Sequence, residues 1–142
     1  MMRLEHIGIA IADPKKSTEL FDRLLGKSGY KQETVESEKV TTHFYDMETA
    51  KIELLVASSE GSVIEKYIQK RGEGIHHLAF EVDDLPTEIN RLKNEGFQFI
   101  NEKPKPGADN KMICFLHPKS TNGVLVELCQ TIGKNENMDF EN

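Results

Sequence analysis

The chain has 142 residues, of which 30% are charged and 37% hydrophobic, the balance of an ordinary globular domain. Its 24 acidic residues outnumber its 18 basic ones, and the formal net charge of −6 argues against general nucleic-acid binding. No apolar run is long enough to span a membrane, and the N-terminus lacks the pattern of a secretion signal, so we expect a cytoplasmic domain with no membrane partner.

The first half of the sequence predicts one helix and four strands. Residues 4–12 have the pattern of a buried strand, and Asp13-Pro14 is typical of a helix start. The helix should end at Gly26 and bury one apolar stripe, formed by Leu20, Phe21, Leu24 and Leu25. The remaining three strands are expected at about 29–36, 39–47 and 51–57.

The second half repeats this order after a connector, residues 58–73, that contains a short helix at about 62–71. A strand is predicted at 75–82, followed by a helix that begins after Asp84, ends at Gly96 and buries Leu85, Ile89 and Leu92. Three short strands should follow at about 97–101, 111–117 and 124–130. Pro104, Pro106 and Gly107 predict an exposed loop over 102–110.

Each half therefore has the order βαβββ, which predicts an internal repeat. We expect one α+β domain over residues 1–131, with repeat 1 at about 3–57, repeat 2 at about 74–131 and a polar tail at 132–142. The two four-stranded units should form one pseudo-symmetric, eight-stranded curved sheet, with the helices covering its outer face.

A histidine occupies a matching place in the first strand of each repeat. Strand alternation puts His6 on a face with Gly8 and Ala10, and puts His77 on a face with Ala79. The neighbouring His76 falls on the opposite, bulky face, which should pack under a helix. The small-residue faces leave room for a ligand, so alternation selects His6 and His77 as candidate ligating residues.

The last strand of each repeat carries one carboxylate among apolar residues, Glu53 in the first and Glu127 in the second. A buried carboxylate needs a partner, a proton or a metal, because its desolvation is costly. If the repeats are related by a pseudo-twofold axis, two imidazoles and two carboxylates converge. That donor set suits a divalent first-row metal ion and leaves octahedral positions open for water or substrate.

The remaining histidines and the cysteines are less informative. His43 could face a cavity or hold a structural position, and His117 lies where a strand becomes a loop. Cys114 and Cys129 sit in apolar strand segments, which favours two reduced, buried thiols.

Two stretches of the sequence resemble one family. Gly74-Ile75-His76-His77-Leu78-Ala79-Phe80-Glu81-Val82 and Phe115-Leu116-His117-Pro118-Lys119, the latter followed by Gly123-Val124-Leu125-Val126-Glu127-Leu128, are similar to segments of the vicinal-oxygen-chelate superfamily. Within it they look most like the methylmalonyl-CoA epimerases. The similarity covers about residues 3–130.

The resemblance implies the glyoxalase fold, a homodimer, an acyl-CoA substrate and a divalent metal (cobalt, manganese, nickel or zinc) held by His6, Glu53, His77 and Glu127. It implies interconversion of (R)- and (S)-methylmalonyl-CoA. The metal would stabilise an enolate after removal of the C2 proton. Glu127 and Glu53 are the candidate acid/base residues, and the sequence leaves open which serves each face.

Three further residues are candidate substrate contacts. Lys111 and Lys119 could bind the phosphates of CoA, and His117 could contact the substrate. Two other functions stay open. A glyoxalase I-type lyase acting on a glutathione hemithioacetal shares the donor set, and a non-catalytic binding protein shares the fold.

Overall fold

A computed structural model describes residues 2–133, so the predicted tail falls almost wholly outside the described residues. It contains eight strands, three α-helices and a short 3₁₀ helix. In chain order these are β1 (Arg3–Ala10), α1 (Pro14–Leu25), β2 (Lys31–Val35), β3 (Val40–Asp46), β4 (Lys51–Ala57), α2 (Val63–Arg71), β5 (Gly74–Glu81), α3 (Leu85–Asn94), β6 (Lys105–Gly107), β7 (Lys111–Leu116), the 3₁₀ helix (Pro118–Ser120) and β8 (Val126–Thr131).

All eight strands belong to one mixed sheet in the order β2-β3-β4-β1-β5-β8-β7-β6. The predicted α+β class and the repeated βαβββ order are therefore confirmed. The chain divides into two compact units. We call His6–His76 the N-unit, and residues 2–5 together with 77–133 the C-unit.

In the N-unit, α1 covers one face of the sheet. The side chain of Asp13 accepts a hydrogen bond from the backbone N–H of Lys16 (3.2 Å), and Gly26 ends the helix with φ 71°. Beneath the helix lies an apolar cluster with Ile11, Tyr45 and Leu54 at its centre. A second cluster, on the opposite face, joins Ala10, Leu55 and Ile64 with α2.

The apolar stripe predicted for α1 is wrong at two of its four residues. Phe21 and Leu25 pack on the sheet, but Leu20 is 51% exposed and Leu24 70% exposed. Leu20 and Leu24 each precede one of these packed residues by one position, on a side of the helix that the sheet of the N-unit does not cover.

In the C-unit, α3 buries Leu85, Ile89 and Leu92 as predicted, against Cys114 and Leu128 of the sheet. Asp84 caps this helix by accepting from the backbone N–H of Thr87 (3.1 Å).

Two strand assignments in the C-unit need correction. The expected strand at 97–101 is reduced to a single bridge between Phe99 and Leu116. Conversely, the expected loop over 102–110 contains β6, which pairs antiparallel with β7. Pro106 is compatible with this strand because β6 lies at the edge of the sheet, where a missing N–H costs no ladder hydrogen bond.

Within residues 2–133, no helix is both long and apolar enough to cross a lipid bilayer.

Candidate metal centre

The N-unit contains the first of two buried histidine–glutamate pairs. β1 and β4 run parallel, with Gly8 opposite Glu53, so the side chains of His6 and Glu53 share a face. The Nδ1 atom of His6 lies 2.9 Å from Oε2 of Glu53. His6 is 6% exposed and Glu53 4% exposed. A small residue, Gly8, follows His6 on this face and leaves the space that the pair occupies.

The C-unit contains the second pair, on the corresponding strands. β5 and β8 also run parallel, and Ala79 lies opposite Glu127. The Nε2 atom of His77 lies 3.8 Å from Oε1 of Glu127, and each residue is 6% exposed. The ring of Phe115 meets the His77 ring edge-on, with centroids 6.0 Å apart. The register of Phe115 opposite Glu127 brings this aromatic ring to the pair.

Each pair therefore combines an imidazole and a carboxylate that are almost completely removed from water. Taking a carboxylate out of water is unfavourable unless it has a cationic or hydrogen-bonding partner. His6, Glu53, His77 and Glu127 each belong to a group of buried donors that could hold a metal ion. Imidazole nitrogen and carboxylate oxygen are both good donors to divalent first-row ions.

His76 differs from its neighbour in surroundings and in charge. Its ring packs edge-on against Tyr67 of α2, with centroids 4.9 Å apart. Burial lowers the pKa of His76 to about 4, so this imidazole is neutral at pH 7. The helix it contacts is the connector helix α2, which also packs on Ala10 and Leu55 in the N-unit. The assignment of His76 to the bulky face and the role of His77 as a ligand both stay predictions.

His43 lies on the opposite face of the N-unit from Glu53. It shares that face with Tyr45, whose hydroxyl donates to the carboxylate of Asp22 in α1 (2.7 Å). His43 lines a cavity of about 370 Å³ there, together with Thr18, Asp22, Ser28, Gly29, Tyr30, Lys31, Gln32 and Tyr45. Burial lowers the pKa of His43 below its usual value.

The three candidate substrate contacts lie in different environments. Lys111 is buried, and its ammonium donates to Oγ1 of Thr131 (2.7 Å) and lies 3.7 Å from Glu81. His117 and Lys119 are exposed. Nδ1 of His117 accepts from the backbone N–H of Lys119 (3.2 Å), which supports a structural role in this turn. Whether any of the three contacts a substrate stays a prediction.

The sequence does not reveal which other side chains share the faces of the two pairs. These include Phe115 beside His77, and Phe44 and Glu33 on the Glu53 face of the N-unit. The alternation of side chains along each strand can be predicted from the sequence, but alternation does not reveal which residues lie opposite each other on paired strands. This pairing register depends on the turns and helices that connect the strands.

Comparison with known proteins places these pairs in a family context. The model of the Glyoxalase/Bleomycin resistance protein/Dioxygenase superfamily matches residues 5–115. The chain is 39% identical over 127 residues to the mitochondrial methylmalonyl-CoA epimerase of Dictyostelium discoideum, covering 89% of this chain and 76% of that protein. It is 38% identical over 130 residues to the ethylmalonyl-CoA/methylmalonyl-CoA epimerase of Cereibacter sphaeroides, covering 90% and 97%.

A solved structure is similar over nearly the whole chain. The crystal structure of methylmalonyl-CoA epimerase from Mycobacterium tuberculosis matches with a TM-score of 0.87 and 34% sequence identity, covering 93% of this chain and 89% of that one.

Proposed function

The chain belongs to the glyoxalase/bleomycin resistance protein/dioxygenase superfamily, and we propose that it is a metal-dependent methylmalonyl-CoA epimerase. The observation that carries the proposal is the pair of buried histidine–glutamate sets on corresponding strands of the two units. Two relatives that cover 89% and 90% of the chain are epimerases that act on methylmalonyl-CoA.

The four residues His6, Glu53, His77 and Glu127 would hold one divalent cation, with cobalt, manganese, nickel and zinc as the candidate ions. The donor set fits such an ion, because two neutral imidazoles and two carboxylates supply a net charge that offsets the ion's charge. Their burial also supports the assignment, since an ion would compensate two carboxylates that are costly to leave in a dry site.

The chemistry follows from the acidity of the substrate's C2 proton, which lies between a carboxylate and a thioester carbonyl. The bound cation would supply Lewis-acid stabilisation of the enolate that remains when this proton leaves. Epimerisation then requires the proton to leave one face of C2 and another to return on the opposite face. Glu127 is the stronger candidate for one face, and Glu53 is the candidate that the sequence analysis offers for the other.

The substrate's CoA portion would lie outside the acyl site. Lys119 and His117 are proposed contacts for it because both are exposed. Lys111 is a weaker candidate, since its ammonium is already held by Thr131 and Glu81. We further propose a homodimer that acts in the cytoplasm. The two free, buried cysteines are compatible with a reducing compartment.

The test is exchange of the C2 proton in deuterated buffer. Metal-loaded protein is incubated with (R)- or (S)-methylmalonyl-CoA, and deuterium incorporation and inversion are followed by NMR. We expect deuterium at C2 and an equal mixture of the two epimers from either starting compound. Folded, metal-loaded protein that exchanges no proton would refute the proposal. Turnover of methylglyoxal with glutathione in its place would establish the lyase alternative.

A further inference from the structure

An epimerase needs a proton-transfer group for each face of C2, and Glu53 is poorly suited to that task in the N-unit. Its Oε2 atom lies 2.9 Å from His6, and its side chain is only 5% exposed. The corresponding contact of Glu127 is longer, since its Oε1 atom lies 3.8 Å from Nε2 of His77. The N-unit therefore needs another group to carry the proton.

Strand register identifies which side chains share the face of Glu53. Glu53 lies opposite Phe44 of β3, and Phe44 lies opposite Lys31 of β2. Residues directly opposite one another on paired strands point to the same side of a sheet. Glu33 is two residues after Lys31 and opposite Thr42, so it points to this side as well.

The contacts of Lys31 support this orientation. Its ammonium lies 4.6 Å from the centroid of the Phe44 ring and 3.8 Å from Oε1 of Glu33. A single cation on this face therefore touches both the aromatic residue beside Glu53 and the carboxylate of Glu33. Lys31 thus lies beside both Phe44 and Glu33 on this face.

The other carboxylate on this face of the paired β2, β3 and β4 strands is Asp46, and it has a local structural task. It lies at the end of β3, and its Oδ1 atom accepts a hydrogen bond from the backbone N–H of Glu48 (2.9 Å). Glu33 lies within β2, and its side chain is 37% exposed. Glu33 can therefore exchange a proton with solvent directly.

We propose that Glu33 is the N-unit's proton-transfer residue, accepting and returning the C2 proton in place of Glu53. The inference rests on the epimerase function proposed above. One strand, β3, separates Glu33 from Glu53. Neighbouring strands are about 5 Å apart, so the backbones that carry the two glutamates lie on the order of 10 Å apart. That separation leaves room for an acyl group between a ligand carboxylate and a base carboxylate.

The step balances with water as the only further reactant. Before the substrate binds, Glu33 is deprotonated and Glu127 carries a proton. The C2–H bond breaks, the proton passes to a carboxylate oxygen of Glu33, and the bonding electrons enter the enolate. Glu127 then gives its proton to C2 on the opposite face, the epimer leaves, and proton exchange with water returns both carboxyl groups to their starting states. In the reverse direction Glu127 removes the proton and protonated Glu33 returns one, so the same two residues serve both directions.

The test compares Glu33→Gln with Glu36→Gln, a matched change at an exposed glutamate just after β2. Glu33→Gln should epimerise at least about 100-fold more slowly, because general acid–base catalysis contributes about 10²–10⁴-fold. In deuterated buffer one epimer should still exchange its C2 proton, through Glu127, but without inversion. The other epimer should neither exchange nor invert. Metal content and Tm should match the wild type, as should every property of Glu36→Gln.

Three results would decide against the inference or its premise. If Glu33→Gln epimerises at the wild-type rate, Glu33 is not the proton-transfer residue. Its carboxylate then only forms an ion pair with Lys31 at the surface. Equal loss of exchange for both epimers, together with loss of metal, would show that Glu33 acts through the metal centre. A wild-type protein that exchanges no C2 proton would instead overturn the proposed epimerase function.

Discussion

His6 and Glu53 make a short contact across two parallel strands, with Nδ1 and Oε2 2.9 Å apart in a nearly dry environment. The matching contact of His77 and Glu127 is longer, at 3.8 Å. Each carboxylate thus lies beside an imidazole from the neighbouring strand. The sequence pattern that builds each pair is the same: a histidine followed by small residues on one strand, and a glutamate between apolar residues on its partner.

His76→Ala should affect stability but not metal binding. The substitution removes an edge-on ring contact with Tyr67, and such aromatic pairs contribute about 1 kcal/mol to the free energy of unfolding. Chemical denaturation should show that loss, while metal content measured by inductively coupled plasma mass spectrometry stays unchanged. A His76→Ala protein that folds normally but has lost its metal would show that the face assignment of the two histidines is wrong.

Lys111→Met should destabilise the C-unit, because it removes an ammonium that is hydrogen-bonded to Thr131 and lies beside Glu81. Hydrogen bonds of charged groups contribute about 2 kcal/mol, and we expect a loss of that order in urea unfolding. Lys119→Met is the matched control at an exposed lysine, and its unfolding free energy should change by less than about 0.5 kcal/mol. Equal stability of the two variants would contradict the internal role of Lys111.

Both cysteines should resist thiol reagents in the folded protein. Cys114 is 1% exposed and Cys129 0% exposed, and burial is the main cause that raises the pKa of each thiol, that of Cys114 to about 12. The reactive thiolate is therefore scarce at pH 8, and access is blocked. Ellman's reagent should label less than one thiol per chain over an hour in buffer and two in 6 M guanidinium chloride. Rapid labelling of two thiols in buffer would contradict the buried positions.

The helices were the most predictable part of this fold. Asp13 and Asp84 cap the helices that they were expected to cap, and Leu85, Ile89 and Leu92 lie in the predicted core. Such signals are local, so they can be read from a few neighbouring residues. Leu20 and Leu24 were wrongly placed in the core because the sequence does not reveal how wide a strip of a helix its sheet covers.

The strands near residue 100 could not be predicted from the sequence. Residues 105–107 form an edge strand despite Pro106, since the pairing with β7 decides the conformation there. Pairing also decides which side chains meet. Alternation separated His77 from His76, but only the register of β2 with β3 brings Glu33 opposite Thr42 and onto the face of Glu53.

The measurement that tests the account most directly is the number of divalent ions bound per chain, in the wild type and in His6→Ala and His77→Ala. These two histidines lie in different units, so each variant leaves one histidine–glutamate pair intact. If all four residues hold one ion, the wild type binds one cation per chain and both variants bind none at the same free-metal concentration. Two ions per chain in the wild type, or full occupancy in either folded variant, would contradict a single shared metal centre.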